Sequence, residues 1–319
     1  MSVLRLLRSR RLRVVVNVAV AACALAVGAF VARHLAAHGW PFADAKLRGV
    51  IAAALLFVGA FGCKAWAWRQ LFSDDTRPTT MSLVAAGGAA SVTGVALPGR
   101  CDSIVRVAVV RRYPGQNCGL GGVLVSLFTL GMIDNAALVP FAALAAAFAA
   151  PTGFVRLAFA FVAAAGLLAA LGVLVLPRLS AQQRVLRFRF GRWAAAHAAS
   201  PRKAGKAWLL VLVSWTLRGA GLLVLLDALA LGGSISHALV FLCASAAATA
   251  LPIAPQGAAA QAGAGAAVLG AAGVKTSAAI AFAIAAQALL VLVGATMLAL
   301  VLLVHFSRRL RAPAVAVTA

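Results

Sequence analysis

Apolar residues come in long blocks along this chain, and polar residues collect in short joints between them. Six blocks are unbroken: Val14 to Ala32, Leu47 to Trp68, Gly119 to Ala149, Val155 to Leu176, Ala207 to Leu231 and Ser277 to Val304. Each is about twenty residues or longer, the length an α-helix needs to cross a ~30 Å hydrocarbon core. Each therefore predicts a spanning helix. A secretory leader has a shape similar to the first block, but its apolar stretch is usually ~7–15 residues. Val14 to Ala32 reads instead as an uncleaved span behind a basic tail.

Two further blocks are interrupted. Within 81–112 the apolar run is cut by GVALPGRCDSIVR, where Pro98 and Gly99 break the helix and Arg100, Asp102 and Arg106 follow at once. Within 237–272 the run is cut at Pro252 and again at Pro255, Gln256 and Gly257. Proline removes a backbone donor and clashes with the preceding turn. The arms on either side of the first break, of about 17 and about 12 residues, are short for full spans. Both blocks predict re-entrant helical hairpins with the break inside the membrane. The expected fold is all-α and polytopic, one integral membrane domain over 1–319 with about six full spans plus two broken hairpins.

Composition agrees and closes other classes. The chain of 319 residues is 64% hydrophobic and 11% charged, with a mean hydropathy of +1.01. A soluble domain is roughly a quarter charged, so this chain lacks the polar residues to cover a water-facing surface. The net charge of +23 comes from 29 Lys and Arg against six acids, all aspartates. Such an excess could mark nucleic-acid binding, but the basic residues sort by side. They crowd into the N-terminal tail, the end of the second block and the joint after it (Lys64, Arg69 and Arg77), Arg111 and Arg112, the loop 177–206 and the C-terminus. That is the positive-inside pattern, and it places both termini in the cytoplasm of a cell inner membrane. Nucleic acid is not an expected partner. The aromatics among the arginines of 177–206 (RVLRFRFGRW) suit an interfacial segment on anionic lipid as well as an ordinary cytoplasmic loop. Trp66 and Trp68 read as interfacial anchors.

The broken blocks also resemble each other. AASVTGVALPGR precedes RRYPG in the first, and ASAAATALPIAPQG precedes LGAAGVK in the second. Each follows two spans and is followed by one. The chain thus reads span, span, hairpin, span over 14–149 and again over 153–304. An odd number of spans per unit inverts the second copy. Inverted repeats with broken helices point to a transporter site near the midplane.

Charges at membrane depth usually face an interior cavity and pair with one another. The candidates are Arg100, Asp102, Arg106, Asp134, Arg218 and Asp227, with Gln256 and Gln261 as polar groups of the second hairpin. An arginine fork grips phosphate in two places, so Arg100 and Arg106 suit a phospholipid headgroup or a lipid-linked phosphate. The aspartates would counter these charges or carry protons; a structural pairing of Asp134 and Asp227 with Arg218 is equally open. For Gln256, Gln261 and Gln287, hydrogen bonding between helices is as good a reading as substrate contact. The five cysteines show no metal or redox spacing. No catalytic residue, metal or cofactor is expected.

Pro98, Arg100 and Arg106, followed by a span with Ser126 and Asp134, resemble the flippase-like transmembrane region of lysylphosphatidylglycerol synthetases, a region also found as stand-alone membrane proteins. The family's first signature runs roughly Pro-x-Arg-x-Gly-Glu-x-x-Arg; here Asp102 and Ser103 replace the Gly and Glu. Its second runs roughly Pro-x-x-Pro-Gly-Gly-x-Gly-x-x-Glu. Pro252, Pro255 and Gly257 match, while Gln256 and Ala259 depart, and no acid stands at the end of the signature, where Gln261 is followed by Ala262. The resemblance implies translocation of an anionic phospholipid or lipid-linked substrate between leaflets. The absence of a carboxylate at Ser103 and around Gln261 puts carboxylate-based ion coupling in doubt. Lysyl transfer is not expected, because no segment is long enough for the synthetase domain. The alternatives are a non-transporting scaffold or accessory subunit and a membrane-embedded lipid-modifying enzyme. A homo-oligomer or a membrane-enzyme partner stays open.

Overall fold

With no water to satisfy the backbone, a membrane-embedded chain takes helix or closed barrel, and the described residues contain helices and no strand. The computed structural model describes residues 39–96, 101–113, 118–180, 200–250 and 258–311, together with Arg33 and Ala37. The elements are α1 (Leu47–Gln70), a 3-10 turn (Asp74–Thr76), α2 (Thr80–Ala96), α3 (Cys101–Arg112), α4 (Leu120–Leu144) with a terminal π-turn (Ala145–Ala149), α5 (Gly153–Ser180), α6 (Pro201–Ala228), α7 (Ile235–Ala250), α8 (Ala258–Ala271) and α9 (Thr276–Arg311).

Five of them, α1, α4 with its π-turn, α5, α6 and α9, are long and apolar enough to cross a membrane. The expected span at Val14 to Ala32 lies outside the described residues. So do Pro98, Gly99 and Arg100 of the first break, and Pro252, Pro255, Gln256 and Gly257 of the second. On either side of each break the arms are helical and pack on each other, α2 against α3 and α7 against α8. Large apolar side chains face outward, Phe154, Leu157, Phe161 and Leu168 of α5 among them. A continuous apolar surface of this kind fits lipid and not water.

The core is built around α1 and α6, which form the most extensive helix contact and run antiparallel. The Lys46 amide before α1 donates to the Ala228 carbonyl at the end of α6 at 3.0 Å. At the opposite end, Lys203 Nζ near the start of α6 reaches the Phe72 carbonyl just past α1 at 3.4 Å. Small residues set the spacing. A Cβ on Gly221 would lie 2.7 Å from the Phe57 ring, and one on Gly49 would lie 2.7 Å from Ala228 Cβ. Midway, Ser214 Oγ donates to the Ala60 carbonyl at 2.8 Å.

The remaining helices flank this pair. α2 packs on α9 where Gly88 and Gly294 bring the backbones together, and α8 also lies along α9. α4 packs on α5 and on α6 but touches α3 only lightly. Pro140 sits inside α4, and the helix loosens into the π-turn one turn later.

Two boundaries differ from the sequence reading. α5 continues through Pro177 to Ser180, and α6 begins at Pro201, where the Ser200 hydroxyl caps the Lys203 amide at 3.4 Å. Proline at the first helical position loses a donor that has no partner there anyway. Residues 181–199, the middle of the basic loop, lie outside the described residues. Trp68 is 3% exposed and donates from Nε1 to Ser126 Oγ of α4 at 3.0 Å, so it is a core residue and not an interfacial anchor. Trp66, 52% exposed, faces outward.

Candidate functional site

A cavity of about 300 Å³ opens at the centre of the bundle, lined by residues of α1, α2, α3, α4, α6, α7, α8 and α9. Its apolar wall includes Phe57, Phe61, Leu222 and Phe241. Its polar wall contains Lys64, Asp102, Arg106, Asp134, Trp215, Arg218, Gln261 and Gln287. Of the residues predicted from sequence, Asp102, Arg106, Asp134, Arg218 and Gln261 therefore meet at one place, although they come from four different helices. Arg100 and Gln256 lie outside the described residues.

Asp227 is not there. It sits in the last turn of α6, where its carboxylate meets Lys46 Nζ at 3.5 Å with both side chains about two-thirds exposed (67% and 66%). A run of apolar residues hides how near Asp227 is to the helix end, because Leu229, Ala230 and Leu231 continue the block as a turn and not as helix. Exposed pairs of this kind contribute little. Asp227 is removed from the candidate site.

Lys64 takes the place that sequence reasoning left open. It lies in the last two turns of α1, and its Nζ meets Asp134 Oδ2 of α4 at 2.8 Å. The sequence reading counted Lys64 among the cytoplasmic charges because it falls near the end of its block. No pattern in the sequence marks it; only the burial of Ala65, Ala67 and Trp68 after it shows that this end of the block lies inside the bundle. The partner of Asp134 is thus Lys64, and Arg218 is left to make other contacts. Trp215 was also missed. One turn before Arg218 on α6, it places its ring under two cations, Arg218 at 5.2 Å and Lys64 at 5.9 Å from the centroid. Cations attract the face of an indole through its quadrupole.

The charges do not balance. On α3, Arg106 and Asp102 form a long pair at 3.6 Å, one helical turn apart. Lys64 and Asp134 form the second pair. Arg218 feels both Asp134 and Arg106 electrostatically but has no ion pair among the described residues. Three cations thus face two carboxylates. Hydrogen bonding is also incomplete: Asp134 Oδ1, Arg106 Nε and Trp215 Nε1 are buried atoms without a partner. A buried polar atom left unpaired is costly, so these atoms can take up water or a polar group that enters the cavity. An excess of cationic donors in a low-dielectric enclosure can hold an anion.

A second opening of about 470 Å³ lies to the side, between α3 and α4, lined by Ser103, Ile104, Val107, Ala108, Arg111, Arg112, Leu124 and Leu127. Asp102 and Arg106 occupy the cavity-facing side of the same helix, so α3 is the partition between the two spaces.

At the end of the bundle where α1 stops, the joint to α2 is tied down by charge. Asp74 meets Arg77 and, at 3.2 Å, Lys203 of α6. The hydrogen bond from Lys203 and the nearby charge of Arg77 hold the Asp74 carboxyl below the usual carboxylate range. Cys118 Sγ, whose thiol is pushed up by burial, donates to the Thr76 carbonyl at 3.1 Å.

No family model, no curated protein and no solved structure matches this chain. The reading of the site rests on its geometry and on the residues themselves.

Proposed function

We propose that this protein moves an anionic phospholipid, or a lipid-linked anion, between the leaflets of a cell inner membrane, with both termini cytoplasmic. The observation that carries the reading is Arg218, a cation at the centre of the bundle with no ion pair among the described residues, beside a cavity that Lys64 and Arg106 also face. A scaffold would be expected to pair its interior charges fully and to leave no opening. The open cavity and the surplus cation favour transport. The sequence resemblance to the flippase-like region points the same way, as a proposal of relationship.

Helix contacts support the inverted repeat. Matching the two units sets α1 against α6, α2 and α3 against α7 and α8, and α4 against α9. The antiparallel α1–α6 pair then lies on the pseudo-axis. The contact of α1 with α2 has its counterpart in α6 with α7, and that of α4 with α6 in α9 with α1. Transporters of this design hold the substrate where the two units meet.

The test is lipid movement in reconstituted vesicles with a fluorescent phosphatidylglycerol, read by quenching from outside. Arg218→Gln should slow exchange about tenfold or more, given the ~1.5–3 kcal/mol of a charged hydrogen bond, while the variant keeps its helix content and elution position. Arg106→Gln should act in the same direction. Unchanged exchange in both variants would overturn the assignment.

A further inference from the structure

We infer that the lateral groove between α3 and α4 is a docking site for one anionic diacyl phospholipid, with its phosphate at Arg111 and Arg112 and an acyl chain along Ile104, Val107, Leu124 and Leu127. This deepens the transport reading, on which it rests for the lipid's onward path.

The shape argues for it first. At about 470 Å³ the groove falls within the ~300–1,000 Å³ of clefts that hold drug-sized ligands, room for one acyl chain and the phosphate, with the rest of the lipid left in the bilayer. It is open to the side and apolar along its length. The outward face of α5, by contrast, is a ridge of Phe and Leu side chains.

Charge argues for it next. Arg111 and Arg112 stand exposed at the last turn of α3, at one end of the groove, and neither makes an ion pair among the described residues. Basic side chains at this depth attract anionic headgroups. An apolar trough ending in two free guanidinium groups matches the two halves of an anionic lipid. A free phosphate would use the arginines and leave the trough empty.

Position argues for it last. Arg111 and Arg106 lie on α3 about 7.5 Å apart along the axis, at 1.5 Å per residue. Arg106 faces the central cavity and Arg218 lies beyond it. The arginines form a series of steps from the groove mouth to the centre. Among the described residues the matching pair α8 and α9 lies in close contact, whereas α3 touches α4 only lightly and leaves the groove between them.

The experiment uses the full chain in phosphatidylcholine vesicles doped with phosphatidylglycerol carrying a photoreactive acyl chain. Crosslinked peptides should map to α3 and α4 at Ile104, Val107 and Leu124. Ala108→Trp should fill the trough and lower those crosslinks about tenfold. Ile104→Trp, at a site already 68% exposed and so harmless to folding, should do the same. Arg111→Gln with Arg112→Gln should cut the preference for phosphatidylglycerol over a photoreactive phosphatidylcholine about fivefold or more. Crosslinks spread evenly over α5, or indifferent to headgroup and to both tryptophans, would overturn the site. Lipid exchange is measured on the same vesicles. Exchange without groove crosslinks sinks the docking site and spares the transport reading. Groove crosslinks without exchange sink the transport reading and leave the docking site standing.

Discussion

The two helical hairpins occupy matching places in the chain and solve opposite problems. The first, α2 and α3, carries charge: its second arm has Asp102, Arg106, Arg111 and Arg112 within twelve residues. The second, α7 and α8, is neutral and made largely of Ala, Gly and Ser. α8 lies against α9, and Gly265 is pressed so close to Phe241 and Ser245 of α7 that a Cβ would lie within 3 Å of both. α3 stands off from α4 and leaves a groove. Small residues allow backbones to approach. Charged ones keep a space around themselves that water or a polar ligand can enter, because full burial of an unpaired ion is prohibitive. One hairpin is therefore a packed wedge and the other a partition with an open space on each side.

If that contrast is right, adding one methyl group to each hairpin should give opposite results. Gly265→Ala should destabilise by about 1–3 kcal/mol through overpacking, read as denaturant unfolding in micelles. Gly94→Ala in α2, where nothing lies within 4 Å of the new Cβ, should be neutral or gain up to about 1 kcal/mol from helix propensity. Equal losses at both positions would erase the distinction.

A smaller effect separates the two carboxylates of the cavity. Asp134→Asn removes the partner of Lys64 and the link between α1 and α4. Both side chains are about one-quarter exposed to the cavity (26%), so the cost should be about 1–2 kcal/mol, below the ~3–5 of a fully buried pair. Asp102→Asn breaks only a long contact within α3 and should cost under about 0.5 kcal/mol. Thermal unfolding of the two variants side by side checks the order. A larger loss for Asp102→Asn would mean that α3 is held mainly by its own ion pair.

The smallest effect concerns how each hairpin is approached. The joint before α2 is tied by Asp74 to Arg77 and Lys203. The joint before α7 turns on its own backbone, with Ala230 at φ 56° and Gly232 at φ 73° and the Leu231 amide returning to the Leu226 carbonyl at 3.0 Å, and the nearest carboxylate, Asp227, makes only an exposed pair with Lys46. The Asp74 carboxyl titrates lower in the folded chain than its ordinary ~3.9, because Lys203 and Arg77 favour the charged form. Its contribution is thus present above the unfolded value and is lost as pH falls through the folded one. Amide exchange at residues 71–80 should rise below about pH 4, and exchange at 229–235 should not. Parallel loosening of both joints would show that Asp74 is a bystander.

Much of this could be read from the chain alone. The five long helices lie within a few residues of the apolar blocks, and both broken blocks have a helical arm on each side of the break. Hydropathy is a local property, so a block long enough to cross a membrane announces itself. Asp102, Arg106, Asp134 and Arg218 were also visible, as charges inside apolar surroundings. What failed was the assignment of position to charges near block ends. Lys64 looked terminal and is central; Asp227 looked central and is terminal. Each lies four residues, about one turn, from the end of its apolar block, and no local pattern distinguishes them.

The sequence by itself therefore determined that the chain is helical, apolar on its outside, and burdened with a few interior charges that need partners. Only the tertiary structure decided who the partners are. Rotation and tilt of each helix set which face meets the centre, and these follow from contacts such as Gly221 on Phe57 and Gly88 on Gly294 that join residues far apart in the chain. Through those contacts Lys64 reaches Asp134, Arg218 is left over Trp215 with no ion pair among the described residues, and α3 stands between a polar cavity and an apolar groove.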